Sequence, residues 1–484
     1  MKTIFDHVRT SPAGGLFVPQ DVPHVDAERL IPATLRRTSP PRIPNLSEPE
    51  LVRHYTRLAK MNYGVDDGFY PLGSCTMKYN PKITEDMARL PGFAALHPLA
   101  DETLVQGALR LLHEMEGHLA QIAGLAAVTL QPVAGAHGEL TGMFLVKRHF
   151  QEQGEPGRTR ILLPDSAHGT NPASAALAGF SVTELPSGED GLVSLEALDA
   201  ALDETVAAIM LTVPNTLGLF ERRILEVTQR VHSAGALCYF DGANLNSFLG
   251  RARPGDMGAD LFHFNLHKTF STPHGGGGPG AGPVAVTERL AQFLPVPRIA
   301  HDGTAYHLDW NAPRSIGSVH SFCGNFLVIL KAYAYLLQLG DQGLARVSEQ
   351  AVLNANYLQE RLKRTYRLPY DRLCKHEFVL SGAGVAEGVS TLDIAKRLID
   401  YGFHPPTIYF PLIVKEALMI EPTESETKET LDAFTQAMEA IAREAKEDPA
   451  LLHDAPQCAP VRRLDQTHAA RHPVLRYPFQ EQTP

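Results

Sequence analysis

The feature that most constrains the fold of this chain is a short apolar run, Leu261–Leu266. It leads to a single lysine, Lys268, and then to four consecutive glycines, Gly275–Gly278. The apolar run predicts a buried strand, and the glycines suit backbone that approaches another group closely or needs positive φ. A strand that delivers one lysine to such a loop predicts a covalent lysine, because a partly desolvated amine is the nucleophile that carbonyl groups require. On Lys268 alone, a glycine-rich surface hairpin with an exposed lysine explains the pattern equally well.

A carboxylate after the preceding strand favours the interpretation of Lys268 as a covalent lysine. Leu237–Phe240 is a second short apolar run, and Asp241 follows it, with the small residue Ala243 just beyond. Pyridoxal phosphate needs a lysine for its aldehyde and a carboxylate that keeps its pyridine nitrogen protonated, so that the ring accepts electrons. Asp241 alone is compatible with an ordinary carboxylate that closes a strand. Together with Lys268 it predicts a pyridoxal-phosphate site, in which Ala243 is small enough to let the ring lie flat.

Strands and helices alternate through the middle of the chain. Strands are predicted at residues 126–130, 161–163, 206–213 and 237–240, with helices between them. This alternation is typical of an α/β fold with a mainly parallel sheet, which gathers ligands at the carboxyl ends of its strands. Asp241 and Lys268 follow strands, which is where such a sheet would place a site.

The two ends of the chain differ from this middle part. The many prolines before residue 60 predict an extended arm, because proline interrupts helices. Later in the chain, a second and smaller α/β region is expected. Helices are predicted over Phe326–Leu339 and Leu344–Tyr366, and Thr423–Glu426 has the pattern of a capping box that opens a further helix.

Other loops that follow predicted strands contribute further candidate residues. Gly135 and Ala136 lie between a strand and a helix, where the backbone N–H groups of a helix N-terminus bind phosphate. A tight strand–helix turn explains these two residues equally well. Asn215 follows a later strand and offers an amide to the phenolic oxygen of the cofactor. His267, beside Lys268, is a candidate for assisting the phosphate or the substrate.

Three longer motifs resemble a known family. They are Asn265–Phe270 with Pro273–Pro279 around the lysine, Pro71–Asn80, and Asp165–Pro172. These motifs resemble the glycine decarboxylase P protein of the glycine cleavage system, and the likeness covers most of the chain. That family occurs as one long chain of two homologous halves or as two separate subunits. This chain has the length of one half and carries the lysine, so it resembles the catalytic second subunit of the split form.

The resemblance implies a fold-type-I pyridoxal-phosphate enzyme with a large mainly parallel-sheet domain and a smaller C-terminal α/β domain. The expected parts are an N-terminal extended arm with an active-site loop (1–95), the large cofactor-binding domain (96–320), the small domain (321–450) and a tail (451–484). In that fold a histidine or an aromatic residue stacks on the cofactor ring, and His168 has that position. Ser74, Cys75 and Thr76 are the residues expected to contact the substrate.

The implied reaction is decarboxylation of glycine, with transfer of the aminomethyl group to the lipoyl arm of the glycine cleavage H protein and release of carbon dioxide. The implied partners are a homologous subunit 1, in a hetero-oligomer with two copies of each chain, and the lipoylated H protein. Two alternatives stay open. One is another fold-type-I enzyme, such as an aminotransferase or a cysteine desulfurase. The other is a non-catalytic subunit that stabilises a partner, and the presence of both Lys268 and Asp241 argues against it.

The composition describes a globular protein without nucleic-acid or membrane partners. Hydrophobic residues make up 44% of the chain and charged residues 20%, which suits a large core. The net charge of −10 disfavours nucleic acid and anionic membrane surfaces as partners. The opening residues have no signal-peptide core, so a cytoplasmic location is expected. The five cysteines are scattered without metal-ligand spacing, which predicts reduced thiols and no metal site.

Overall fold

A computed structural model describes residues 3–7, 23, 25–37, 44, 46–274 and 280–477 of the chain. Contacts between residues divide the chain into two compact units, Met1–Gly64 with Pro460–Pro484, and Val65–Ala459. The four glycines Gly275–Gly278, for which the sequence predicts a close approach or positive φ, lie outside the described residues. Within the described ranges, no helix combines the length and the apolar character needed to span a membrane.

The described part of the first unit consists of short helices joined by irregular segments. Its α-helices are Ala27–Leu30, Glu48–Ala59 and Gln466–Arg471, and its 3₁₀ helices are Ile4–His7 and Ala33–Leu35. The prediction of an extended arm up to about residue 60 is therefore wrong for the last part of that arm. Ser47 opens the helix Glu48–Ala59 in a capping box with Glu50, and Pro49 lies in the first turn, where proline is tolerated.

The second unit is built on a seven-stranded sheet. Its strands are β1 (Ala127–Thr129), β2 (Arg160–Pro164), β3 (Ser181–Leu185), β4 (Val206–Thr212), β5 (Leu237–Gly242), β6 (Leu261–Phe264) and β7 (Val284–Val286). Their order across the sheet is β1-β7-β6-β5-β4-β2-β3. The strands from β2 to β6 pair in parallel, and β7 runs antiparallel to both of its neighbours. The predicted α/β fold with a mainly parallel sheet is confirmed.

Helices cover this sheet, and alternate strand residues pack into separate cores. The helices are Gln106–Ala123, Gly135–Glu152, Thr170–Leu177, Leu195–Ala201, Ile224–Ser233 and Glu288–Ala291, and Lys82–Ala88 and Pro91–Ala94 precede them. Phe240 and Phe262 belong to one core, whereas their neighbours Tyr239 and Leu261 belong to another. Because the strands are buried on both sides, they appear in the sequence as continuous apolar runs.

A smaller antiparallel sheet follows in the chain. A two-stranded ribbon, β8 (Arg298–His301) with β9 (Tyr306–Asp309), comes first. The smaller sheet has the order β10-β12-β11, with strands β10 (Phe378–Ser381), β11 (Thr407–Ile408) and β12 (Ala417–Ile420). Its helices are Phe326–Leu362, Thr391–Asp400, Lys428–Glu447 and Pro449–His453. The second α/β region expected from the sequence is therefore present.

Two details of this region bear on the predictions. The helix Phe326–Leu362 is interrupted at Gly340, whose φ of 60° and ψ of −176° are not helical. Its two parts correspond to the two predicted helices, but the second part ends at Leu362 and not at Tyr366. The predicted capping box at Thr423–Glu426 is wrong. The helix starts at Lys428 and is capped by Thr427, whose side chain accepts from the backbone of Thr430.

Candidate active site

The carboxyl ends of β5 and β6 bring Asp241 and Lys268 to the same edge of the large sheet. Asp241 is paired in register with His263 of β6. The chain leaves β6 and turns, and the N–H of Lys268 donates to the carbonyl oxygen of Asn265 at 3.1 Å. The charge of Lys268 then lowers the pKa of Asp241, against the larger effect of burial. The two residues that the sequence singled out therefore belong to one site.

Asp241 is a buried carboxylate with a partner on each oxygen. Oδ2 accepts from Asn171 Nδ2 at 3.1 Å, and Oδ1 accepts from the backbone N–H of Ala243 at 2.9 Å. Nε2 of His263 lies 3.3 Å from Oδ1. Burial alone would raise the pKa of Asp241, but His263, Lys268 and the two N–H donors favour the anion and lower it. This is the ionisation state that can hold a proton on a pyridine nitrogen.

A second buried carboxyl group, Glu139, lies beside Asp241. It accepts from Thr170 Oγ1 at 2.8 Å and from Ser174 Oγ at 3.3 Å. One Glu139 oxygen, one Asp241 oxygen and a ring nitrogen of His263 lie within 4.8 Å of one another. Burial raises the pKa of Glu139 to about 7, and the negative charge of Asp241 adds to the effect. Glu139 therefore keeps its proton nearly up to neutral pH.

Lys268 is half-buried, and its charge reaches several titratable groups around it. These groups include Cys75, His168, Asp241, His267, Glu377 and Glu421. Burial is the largest influence on each of their pKa values, and the charge of Lys268 lowers every one of them. The lysine amine is thus the centre of a compact polar site.

His267 and His274 lie on the two sides of the lysine turn, with ring centroids 5.1 Å apart. Burial lowers the pKa of His267 to about 3 and that of His274 to about 4, so both rings are neutral at pH 7. The backbone N–H of Ala281 donates to Nδ1 of His267 at 3.4 Å, which leaves Nε2 of that ring as the N–H donor. Toward a phosphate or a substrate, His267 would therefore act as a neutral donor and not as a cation.

The helix that begins at Gly135 presents uncapped N–H groups near the lysine turn. No side chain caps its N-terminus, so the N–H groups of Gly135 and Ala136 have no partner within the helix. A β-carbon on Gly135 would lie 2.1 Å from Oδ1 of Asn265, and one on Gly282 would lie 2.1 Å from the carbonyl oxygen of Ala134. Both positions therefore require glycine. The closely packed backbone and its N–H groups fit a phosphate, which helix N-termini attract.

His168 offers a neutral ring in the same region. Its Nδ1 lies 3.0 Å from Thr170 Oγ1, and its ring meets that of Phe410 edge-on, with centroids 5.6 Å apart. Burial lowers its pKa, and the charge of Lys268 lowers it further. A neutral, partly buried imidazole held by a hydroxyl group is suited to stacking on an aromatic cofactor, as the sequence predicts.

Asn215 follows β4 as predicted, but most of its hydrogen bonds shape its own turn. Oδ1 accepts from the backbone N–H groups of Leu217 and Leu219, each at 3.1 Å, and Nδ2 donates to the carbonyl oxygen of Gly191 at 2.7 Å. Only the second N–H of this amide is left to approach a phenolic oxygen. Asn171, which sequence reasoning missed, is the asparagine that contacts Asp241.

The segment Pro71–Asn80 joins the small sheet to the lysine turn. It forms a bridge to the end of β12, and a β-carbon on Gly73 would lie 2.2 Å from Cγ of Met419. Near its other end, Nδ2 of Asn80 donates to the carbonyl oxygen of Ser271 at 2.8 Å. The segment therefore lies over the site, and the close approach at Gly73 leaves no room for a side chain.

Ser74, Cys75 and Thr76 lie in the middle of this segment. The N–H of Ser74 donates to Glu377 at 2.7 Å, and the N–H and Oγ1 of Thr76 donate to the two oxygens of Glu421 at 2.8 and 2.5 Å. The hydroxyl of Thr76 is therefore engaged by the protein and is not offered to a substrate. Burial raises the pKa of Cys75 to about 11, so this side chain is a thiol at neutral pH.

Sequence reasoning missed five residues of the site, namely Glu139, Asn171, His263, Glu377 and Glu421. Two of them carried a usable signal. Glu377 precedes the apolar run of β10, and Glu421 follows that of β12. A carboxylate next to a short apolar run is the same signal that identified Asp241. Glu139 lies inside a helix and His263 inside a strand, where no local pattern distinguishes them.

The fold of the chain matches that of pyridoxal-phosphate-dependent enzymes. Two family models match the chain, one for the aminotransferase class-V family over residues 113–295 and one for the glycine dehydrogenase C-terminal domain over residues 347–454. A crystal structure of glycine decarboxylase (P-protein) in inhibitor-bound form is similar with a TM-score of 0.71 and 22% identity, covering 86% of this chain and 93% of that one. A NifS-like protein is similar with a TM-score of 0.61 and 16% identity, over 78% and 99% of the two chains. The chain thus has the fold-type-I architecture of these enzymes.

Curated relatives identify the family more closely. A probable glycine dehydrogenase (decarboxylating) subunit 2 of Caldanaerobacter subterraneus is 59% identical over 460 residues, covering 95% of both chains. The protein of the same name from Fervidobacterium nodosum is 57% identical and covers 98% of this chain and 99% of its own length. The one from Bacillus velezensis is 54% identical, over 98% and 97%. The chain belongs to the family of glycine dehydrogenase (decarboxylating) subunit 2.

Proposed function

We propose that this chain is the cofactor-bearing subunit of a glycine decarboxylase and that Lys268 holds pyridoxal phosphate covalently. The observation that carries the proposal is the placement of Lys268 and the buried carboxylate Asp241 at one edge of the sheet. Relatives that are 54–59% identical are named for decarboxylation of glycine. Lys268 therefore has both the environment and the family expected of a cofactor lysine.

The residues present fit that cofactor group by group. The N–H groups of Gly135 and Ala136 at the uncapped helix N-terminus suit its phosphate. Asp241 suits its pyridine nitrogen, and the neutral ring of His168 suits one face of the ring. Ala243, which follows Asp241 and Gly242 in the chain, has a side chain small enough to let the ring lie flat. This set supports binding of the whole cofactor and not of a phosphate alone.

Bound pyridoxal phosphate supplies an acceptor for the electrons left behind when carbon dioxide leaves an amino acid. Asp241 holds a proton at the pyridine nitrogen, since its anionic form is favoured by its surroundings. Asn171 and the N–H of Ala243 fix the direction in which the carboxylate points. His263 lies beside this carboxylate, with its Nε2 3.3 Å from Oδ1 of Asp241. Hydrogen bonds to Tyr239 and Asn265 hold the ring of His263 in place.

The proposal includes transfer of the aminomethyl group to the lipoyl disulfide of a carrier protein, the H protein. It also includes a hetero-oligomer with a homologous subunit 1, since the relatives are named subunit 2. Cys75 lies near Lys268 and has a pKa of about 11, raised by burial. As a thiol and not a thiolate, it would not compete with the substrate carbon for the disulfide.

The decisive experiment is reduction of the purified protein with borohydride, followed by peptide mapping. The reduced pyridoxyl label is expected on Lys268, and Lys268→Ala should lose both the label and decarboxylation while remaining folded. Lys375→Ala is a matched control, because that lysine lies outside the site against Phe220. A label on another lysine would contradict the assignment.

A further inference from the structure

Two buried carboxyl groups, Glu377 and Glu421, lie opposite one another at the end of the small sheet. Glu377 precedes β10 and Glu421 follows β12, and Phe378 pairs with Ile420 in the antiparallel ladder. The two glutamates are therefore the next pair along it. Both are 0% exposed. One oxygen of each and a ring nitrogen of His376 lie within 4.8 Å of one another. None of these groups has a part in the cofactor contacts proposed above.

The carboxyl pair binds the backbone on both sides of Cys75. Glu377 accepts from the N–H of Ser74, and Glu421 accepts from the N–H and the hydroxyl of Thr76. Ser74 has a φ of 64° and Thr76 a φ of 50°. Residues with a side chain occupy this left-handed region only where surrounding contacts fix them. The two glutamates supply those contacts, so the path of the loop depends on them.

Among the described residues, no lysine or arginine side chain forms a hydrogen bond or an ion pair with the two glutamates. The hydrogen bonds of the pair come from N–H and hydroxyl groups, and the nearest basic side chain is His376, 3.7 Å from Glu377 and 3.9 Å from Glu421. Burial lowers the pKa of His376 to about 3, so this ring is neutral. Burial raises the pKa of Glu377 well above its usual value and that of Glu421 to about 7. Two ionised carboxylates this close would repel each other strongly.

Other titratable groups around the pair do not neutralise it by direct bonding. The groups on neighbouring elements are Lys268 in the turn after β6, Cys75 in the loop, Cys374 and His376 before β10, and Glu424 after β12, which Lys78 binds at 2.7 Å. Lys268 favours ionisation of the pair, and Glu424 opposes that of Glu421. Burial has the largest effect on both glutamates.

We propose that Glu377 and Glu421 share a proton at neutral pH and, in that form, act as positioning residues that hold the Ser74–Thr76 loop against Lys268. Loss of the shared proton places two negative charges together and releases the loop. Burial raises the pKa of Glu421 to about 7 and that of Glu377 well above its usual value, so the pair keeps a proton at neutral pH and the clamp opens as pH rises above neutrality. The importance of the loop for the reaction rests on the function proposed above, whereas the clamp itself does not.

The position of the loop can be measured through Cys75 itself. Rates of alkylation of Cys75 and Cys323 are compared by peptide mass spectrometry in the full-length protein between pH 6.5 and 9. Burial raises the pKa of both thiols to about 11, so their thiolate fractions rise together. Opening of the clamp should raise the Cys75:Cys323 ratio in the wild-type protein by at least about fivefold relative to Glu377→Gln at the same pH.

Glu377→Gln is the informative variant, because its amide oxygen still accepts from Ser74 while the pair can no longer become doubly charged. Its ratio should change with pH much less than that of the wild type. Glu377→Ala and Glu421→Ala should give a high ratio at every pH. Glu426→Gln is the control, because burial also raises the pKa of that carboxyl, to about 7, outside the pair. It should behave as the wild type.

The ionised pair itself would raise the pKa of Cys75 and slow its alkylation, so a faster reaction can only report exposure. Equal ratios in the wild type and all three pair variants would overturn the proposal. A stoichiometric divalent metal in the wild-type protein that Glu377→Ala loses would also overturn it, because a cation would then neutralise the pair. The alkylation needs no cofactor, so failure of the clamp and failure of Lys268 to take the borohydride label are separate results.

In the assembled enzyme, the clamp also predicts how the rate of decarboxylation depends on pH. Decarboxylation should fall as pH rises above neutrality, and Glu377→Gln should move this fall to higher pH with the cofactor still loaded. If Glu377 had only a structural role, its substitution would change the amount of folded enzyme and not the pH at which the rate of decarboxylation falls. An unchanged profile in Glu377→Gln would count against the clamp.

Discussion

Two buried carboxyl groups lie beside each other, Asp241 in β5 and Glu139 in the helix Gly135–Glu152, and their surroundings shift their pKa values in opposite directions. Asp241 has N–H donors on both oxygens, and its anion is favoured. Glu139 has two hydroxyl partners and a negative neighbour, so burial and Asp241 raise its pKa to about 7. Both carboxyl groups have hydrogen-bond donors that lower their pKa values, so the difference follows from the charges around them. The anion of Asp241 raises the pKa of Glu139, whereas His263 and Lys268 lower that of Asp241.

The charge of Asp241 can be removed without changing its shape. In Asp241→Asn, one oxygen that now accepts from Asn171 or Ala243 is replaced by an N–H donor, and the proton on the pyridine nitrogen loses its anion. Decarboxylation is expected to fall by at least about a hundredfold, or about 2.7 kcal/mol in the barrier, with cofactor still bound. Single-turnover assays on cofactor-loaded protein measure this. Asp260→Asn, a buried aspartate at the opposite end of β6, should leave the loaded enzyme active. Near-normal turnover of Asp241→Asn would contradict the role.

Glu139 predicts a pH-dependent contribution to stability. Its folded-state pKa of about 7 lies above the ordinary value of 4.5, so the folded protein binds the extra proton. Stability from this group is full below about pH 4.5 and is lost as pH rises to 7, by roughly 3 kcal/mol. The melting temperature of the wild type should therefore fall more steeply over this range than that of Glu139→Gln. Glu189→Gln, at an exposed position, is the control, and identical slopes in all three proteins would refute the prediction.

At the scale of elements, the parallel strands and the residues that end them could be predicted, and the contacts between distant elements could not. Lys268 and Asp241 follow apolar runs, which a sequence displays directly. Glu377 and Glu421 act on Ser74 and Thr76, some 300 positions away in the chain. Local patterns carry no information about such pairs, which depend on how the small sheet packs.

Misread local patterns have equally specific causes. Thr423–Glu426 has the spacing of a capping box, but Thr423 has a φ of 64° and its hydroxyl contacts Ser425. The helix therefore begins later, at Lys428. Asn215 follows β4 as predicted, and its side chain bonds to Leu217 and Leu219 in its own turn and to Gly191. Its contact with the cofactor stays a prediction. Short polar side chains bond locally as readily as at a distance.

The uncapped helix that begins at Gly135 gives a prediction at this scale. Gly135→Ala would place a β-carbon 2.1 Å from Asn265 Oδ1, which must displace the N–H groups that suit the phosphate. The dissociation constant for pyridoxal phosphate is expected to rise at least about tenfold, equal to about 1.4 kcal/mol. Absorbance titration of the protein measures it. Gly117→Ala, in a helix where a β-carbon meets nothing within 4 Å, should bind as the wild type. Equal affinity of both variants for pyridoxal phosphate would show that the N-terminus of this helix does not bind the phosphate.

At the scale of the whole molecule, the chain carries exposed apolar side chains that suit a partner. Leu99 and Trp310 are 77% and 62% exposed. The chain spans almost the full length of relatives that are named subunit 2. The two side chains line one surface cavity, and contiguous exposed apolar surface commonly marks a contact site. The family name and the surface therefore support a hetero-oligomer.

The corresponding prediction concerns activity of the chain on its own. Purified alone, it should exchange the carboxyl carbon of glycine with bicarbonate poorly in the presence of lipoylated carrier. Co-expression with a homologous subunit 1 should give a complex of both chains and restore exchange. Deletion of residues 1–40, a stretch largely outside the described ranges, should weaken the complex without abolishing the fold of Val65–Ala459. Full exchange by the isolated chain would show that the second subunit is not required.

The segment Pro71–Asn80 is bonded to β12 at one end and to the lysine turn at the other. Its few residues therefore link the opening equilibrium of the small sheet to events at the lysine. A ligand that orders the lysine turn also restricts the segment bonded to it, so less conformational entropy is lost when the segment stays on β12. Local unfolding of the small sheet should therefore become rarer when the ligand is bound. By the same linkage, a substitution that destabilises the small sheet should lower the affinity of the protein for the ligand. Slow exchange of amide hydrogens in β12 would then report occupancy at a lysine far away in the sequence.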